Sequence, residues 1–166
     1  MNFIKYQQEV VKEVLKHNSK SRIMCWKEQA KSTKEPKVYC TLDNILLMCI
    51  PEKSWILDVD KIKEKQGITT DPSSNSLINF DDRIDAILTN EKRGEENTYT
   101  KKKTLVVKIK AVGDDTKYTW VNEKLLKYFD NPTFTLSKER MDIKGVNVYE
   151  GDEFVGMVMP VRVSEI

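Results

Sequence analysis

Lys5, Lys12 and Lys16 are spaced by seven and four residues, steps that nearly close whole turns of an α-helix, so their ammonium groups project from one side. Phe3, Val10 and Val14 fall close together almost opposite them, with Tyr6, Gln7 and Val11 flanking. Glu9 lies four residues after Lys5 and three before Lys12, so a solvated face with local ion pairs is the plainest reading of the row. Other reactive residues are sparse. His17 is the only histidine and sits at the end of this surface helix, a poor place for a Ser-His or Cys-His pair. The six glycines are scattered and form no phosphate loop. Asp130 followed by Asp142-Ile143-Lys144 is a loose metal-nuclease pattern if the last Asp and Lys share a strand face, although Asp130-Asn131-Pro132 reads equally well as a turn. Asp58 and Asp60 would alternate on one strand face with no third ligand near in sequence. The expectation is a protein that is not an enzyme and carries no metal or other cofactor.

Cys25, Cys40 and Cys49 are odd in number and lack paired spacing, so they read as reduced packing residues. The 166 residues suit one domain, and 39% hydrophobic with 33% charged residues suits a globular rather than a disordered chain. The longest apolar run, Ile45 to Ile50, stops at Pro51 and is too short for a bilayer. The Met1 to Tyr6 stretch has no apolar signal core, and a cytoplasmic protein without a membrane partner is expected. Charge is unevenly spread: residues 1–37 hold nine Lys or Arg against four Asp or Glu, while residues 71–99 hold three against seven.

The elements that must position these groups follow from periodicity. The spacing predicts a helix over Phe3 to His17, then strands at Arg22 to Trp26, Val38 to Ile50 with a turn near Asp43-Asn44, and Trp55 to Val59. Gly67 to Asn79 reads as loop, Phe80 to Leu88 as a short helix through Ile84, Ile87 and Leu88, and Arg93 to Lys103 as polar connection. Thr104 to Val112 alternates as a strand. A helix at Asn122 to Phe129 precedes strands at Thr133 to Leu136, Met141 to Tyr149 and Phe154 to Val163, with a tight turn at Glu150-Gly151-Asp152.

The closing stretch, Phe154-Val155-Gly156-Met157-Val158-Met159-Pro160-Val161-Arg162-Val163, resembles the carboxyl terminus of bacterial DNA polymerase III beta sliding clamps. The similarity reaches back through Tyr118 to Phe129, Thr133 to Leu136 and Met141 to Val146, roughly the last third of the chain. It implies an α+β fold: a single DNA-clamp-like domain of two βαβββ halves, with helices on one face of antiparallel sheet. The halves would be about 1–66 and 104–166, joined by an irregular insertion at about 67–103. Residue-level repetition is absent, the first half lacks a leading strand, and the middle is longer than such a domain needs.

The resemblance also implies a function: a non-enzymatic processivity-clamp-like accessory protein of DNA replication, in a phage or mobile-element setting. Lys5, Lys12 and Lys16, with Lys124 and Lys127 of the second helix, would track the duplex backbone without reading bases. Met157, Met159, Pro160, Val161 and Arg162 would help wall a pocket for short motifs of a DNA polymerase or other replication proteins. Three further residues, Ser164-Glu165-Ile166, follow where the family's pattern stops, and the neighbouring domain that supplies the other wall has no evident source. One such domain cannot encircle DNA, which implies a homo-oligomer or association with another clamp. The alternative is a protein-interaction module on the same scaffold, an adaptor that does not bind DNA.

Overall fold

Alternation of buried and wetter side chains marks several of this chain's strands, β2, β6 and most of β5 among them. The structure is a computed structural model and describes residues 1–15, 23–28, 35–67, 70–72, 77–96 and 101–163. Its elements are α1 (Phe3–Leu15), β1 (Cys25–Glu28), β2 (Lys37–Leu42), β3 (Leu46–Pro51), the 3-10 turn η1 (Glu52–Ser54), α2 (Val59–Gln66), β4 (Arg83–Glu96), β5 (Lys103–Ala111), β6 (Tyr118–Asn122), the 3-10 helix η2 (Glu123–Tyr128), β7 (Thr133–Ser137), β8 (Val146–Glu150) and β9 (Glu153–Val158). The fold class is α+β. The nine strands form one antiparallel sheet in the order β1-β2-β3-β9-β8-β7-β4-β5-β6.

The sheet is rolled. The Met159 amide donates to the Ile45 carbonyl at 2.8 Å, and the Val161 amide donates to the Trp120 carbonyl at 2.7 Å. Two residues of chain span at most about 7 Å. In a flat sheet, six strand spacings of roughly 4.8 Å would put β3 and β6 about 29 Å apart. Only strong curvature lets the segment after β9 touch both, and it straps the roll across its mouth.

One apolar cluster lines the enclosed face. It joins Tyr6 and Val10 of α1, Val59 and Ile62 of α2, and Leu125 and Tyr128 of η2 to buried residues from every strand. Tyr6 fixes α1 to the sheet, since its hydroxyl donates to the Cys40 carbonyl at 2.7 Å and its ring meets Tyr128 edge-on at 5.4 Å. A smaller cluster on the opposite face gathers Trp26, Leu47 and Ile78, with Tyr39, Phe154 and Met157 against them. Gly156 is required where β9 passes β3, because a Cβ there would meet the Leu47 carbonyl oxygen at 2.5 Å.

A turn stands as expected at Asp43-Asn44, whose φ values of 53° and 55° are both left-handed and which, with Ile45, form the loop between the paired Leu42 and Leu46. Gly151 turns β8 into β9 with a φ of 64°. Other expectations are corrected. Trp55 to Val59 is not a strand: the Asp58 carboxylate accepts from the Lys61 amide at 3.1 Å and caps α2, which ends at Gly67 in the left-handed region. Asp58 and Asp60 therefore stand at a helix start rather than on a strand face. Phe80 to Leu88 is not a helix, because Arg83–Ala86 pair with β7 while Ala86–Leu88 and, past a bulge, Lys92–Glu96 pair with β5, and neighbours on both sides override local spacing. The same ladder makes strand of Arg93 to Glu96, so the middle of the chain is less irregular than expected.

The Asn122 to Phe129 helix is a 3-10 helix, with the Asn122 side chain capping the Lys124 amide at 3.0 Å. Residues 141–144 form a turn closed on the Arg140 carbonyl, so strand begins only at Val146, and β9 stops at Val158 because Pro160 offers no amide to extend the ladder. The three cysteines are free and buried. No helix among the described residues is long and apolar enough to cross a membrane.

Candidate functional site

Two surfaces carry the residues singled out by sequence. On the first, Lys5 and Lys12 stand exposed on α1 and Lys124 and Lys127 stand exposed on η2. The two elements touch: the Asn2 amide donates to the Tyr128 carbonyl at 2.8 Å, beside the Tyr6–Tyr128 ring contact. Lys12 has Glu9 at 3.5 Å, the local pair its spacing predicts, and Lys127 lies 5.0 Å from the centre of the Tyr128 ring. Burial pushes the Tyr128 hydroxyl up to about 12, so this ring stays neutral beneath its lysine. Lys16 and His17 lie outside the described residues.

The second surface is on the outer face of the roll, at the β6 end. Alternation places Val107, Ile109 and Val121 in the core and turns Lys108, Tyr118 and Trp120 outward. Lys108 Nζ sits 4.1 Å from the Tyr118 ring centre, and Arg93 lies 5.6 Å from that of Trp120. The strap after β9 runs alongside, and Val161, Arg162 and Val163 complete a groove of about 690 Å³ with these residues. Glu91 pairs with Lys108 at 3.0 Å and Glu95 with Arg93 at 3.4 Å, so the cations are held in place as well as stacked. Nearby, Asp115 hydrogen-bonds Lys110 and holds its ammonium above the ordinary value.

The residues expected to wall one pocket are therefore divided. Val161 and Arg162 line the groove. Met157 packs in the outer-face cluster against the space left by Gly145, where any Cβ would meet its thioether. Met159 and Pro160 are half-buried in the strap between. Asp142 reaches the groove, whereas Asp130 contacts the Met1 nitrogen at 2.6 Å, so the two acids of the loose metal pattern belong to different sites. Among the described residues no three His, Cys, Asp or Glu side chains gather as metal ligands would.

Arg93, Lys108, Tyr118 and Trp120 are not among the site residues expected from the sequence. Their signal was available in the alternation of Tyr118 and Trp120 against Thr119 and Val121, which marks a half-buried strand. No family model, curated protein or solved structure matches the chain.

Proposed function

We propose that this is a non-enzymatic accessory protein of DNA replication, a clamp-like domain that follows duplex backbone through its lysine-bearing helical face. One observation carries the reading. The order α1–β1–β2–β3 and the order η2–β7–β8–β9 are each a helical element followed by a three-stranded meander, and the last strands of the two, β3 and β9, pair with each other. Both helical elements lie on the same enclosed face and turn lysines to solvent. In this reading β6 leads the second unit, while β4 and β5 extend the sheet beyond β7. The outer groove at Val161 and Arg162 is then the place for a short motif from a replication protein.

Duplex binding tests it. Five lysines on phosphates give a slope of log K against log salt of about −4.5, so affinity should fall about 500-fold between 50 and 200 mM salt. Charge reversal of Lys5, Lys12 and Lys16 together should abolish retention in a gel-shift assay without lowering the melting temperature. Retention that is unchanged by that substitution, or absent at 50 mM salt, rejects the DNA reading and leaves the adaptor. The adaptor has its own support in the apolar side chains that α1 exposes beside its lysines.

A further inference from the structure

Ile4, Val11 and Leu15 are spaced by seven and four residues, as the lysines are, and form a second row on α1. They are 66%, 37% and 61% exposed, and Ile56, on the loop facing them, is 74% exposed. Isolated exposed apolar residues are ordinary, but a contiguous row with a facing wall marks a contact surface. Ile56 is not a loose side chain. Its amide donates to Gln7 Oε1 at 2.7 Å, and the same buried side chain donates from Nε2 to the Ser54 carbonyl at 2.9 Å. The chain therefore uses a buried amide to hold a large apolar residue in water.

The space between the helix and this loop consists of two hollows that share Val11 and Leu57, one of about 350 Å³ towards Ile4 and one of about 150 Å³ towards Leu15. Together they follow α1 from Ile4 to Leu15, a rise of about 16 Å or three helical turns. The rim is basic. Lys12 borders one hollow and Lys61 and Lys65 the other. Among the described residues the single acid lining either hollow, Asp58, caps the Lys61 amide at 3.1 Å.

We infer that this groove binds an acidic amphipathic helix of a partner protein, seating its apolar side chains on Val11, Leu57 and Ile56 with its carboxylates beside Lys12, Lys61 and Lys65. Length, apolar floor and basic rim all fit the helix-in-groove mode of recognition. A concave floor suits a helix rather than a bilayer, which needs a projecting apolar edge. A second copy docked through α1 would bring lysine rows face to face. The inference does not depend on DNA binding, since Ile56, Lys61 and Lys65 have no part in that reading.

The test uses the full chain and a synthetic Leu- and Glu-containing amphipathic helix of about 18 residues, long enough to hold its helical form. Amide and methyl shifts should move at Ile4, Val11, Leu15 and Ile56. A peptide with Lys replacing every Glu should bind at least about tenfold more weakly, as like charges on the rim dictate. Ile56→Ser and the pair Lys61→Glu and Lys65→Glu should each weaken the acidic peptide at least about fivefold with unchanged melting temperature, because exposed positions tolerate substitution. No shift at millimolar acidic peptide overturns the inference, as does equal binding of the basic one. Shifts produced only by phosphatidylserine vesicles would assign the surface to a membrane, and a concentration-dependent doubling of mass that protects the same residues would assign it to a second copy; either overturns it too.

Discussion

Gln7 holds Ile56 in place: the carboxamide oxygen of one accepts the backbone amide of the other at 2.7 Å, forty-nine residues away in the chain. The Gln7 amide nitrogen satisfies Ser54 on the same loop, so a single buried side chain sets the geometry between α1 and the approach to α2.

Replacement of Gln7 by Leu should therefore destabilise the protein by about 1–2 kcal/mol, since it removes the partner of the Ile56 amide and the Ser54 carbonyl in two part-buried hydrogen bonds while keeping the volume. Hydrogen exchange at the Ile56 amide should accelerate beyond what the lower global stability explains. A protected Ile56 amide and an unchanged melting curve would show that the loop is held by other contacts.

Arg83 plays a corresponding part at the start of β4. Its guanidinium donates to Thr135 Oγ1 at 3.1 Å, to the Thr135 carbonyl at 2.7 Å and to the Gly145 carbonyl at 2.8 Å, tying the 141–144 turn to β7. Arg83→Met should cost about 2–4 kcal/mol. Arg83→Lys should recover less than half of that, because a single ammonium cannot span the fork. Equal denaturation midpoints for Met and Lys variants would refute the geometric part of this account.

Alkaline pH should weaken the fold. Burial pushes the Cys49 thiol up to about 11; the hydrogen bond with Cys40, and then burial, raise Cys25; burial also raises Tyr6. With ordinary values of 9.0 for the thiols and 10.0 for the phenol, the unfolded chain loses these protons first. Stability is full below about pH 9 and falls as pH rises from there through 11 and beyond. Melting temperatures recorded from pH 7 to 11 should be level and then drop. Iodoacetamide at pH 8 should label Cys25 and Cys49 only after denaturation, because both thiols are buried and that of Cys49, at about 11, is thiolate in roughly one molecule per thousand.

Legibility in the sequence followed period and punctuation. Thr104 to Val112 reads as a strand and β5 is one, its alternation holding from Val107 to Ala111 while Val106 is buried and Leu105 exposed; Asp43-Asn44 is a turn because both residues tolerate positive φ. Where Ile84, Ile87 and Leu88 matched helical spacing, pairing to β7 and β5 decided otherwise, and such partners are invisible in a local window. Helix α2 gives little periodic signal because Val59 and Ile62 are its only apolar residues, and its marks in the sequence are the Asp58 cap and the Gly67 stop. The α1 stripe was legible as apolar, yet Phe3, Val10 and Val14 face the core while Ile4, Val11 and Leu15 do not. Periodicity shows that a helix has an oily arc, and only packing shows how much of that arc is covered.

The position of β9 in the sheet has a kinetic consequence. β9, the last strand among the described residues, lies between β3 and β8, with Leu46 pairing to Val158. During synthesis β1, β2 and β3 can pair among themselves early, but the inner edge of β3 keeps the apolar run Leu46–Ile50 without its neighbour until residues 153–158 emerge. Closing a loop of more than a hundred residues is slow, and an open apolar strand edge is what other chains find first. Nascent protein should need its final strand before it escapes aggregation, and truncation just before Glu153 should leave most of the sequence present but little of it soluble.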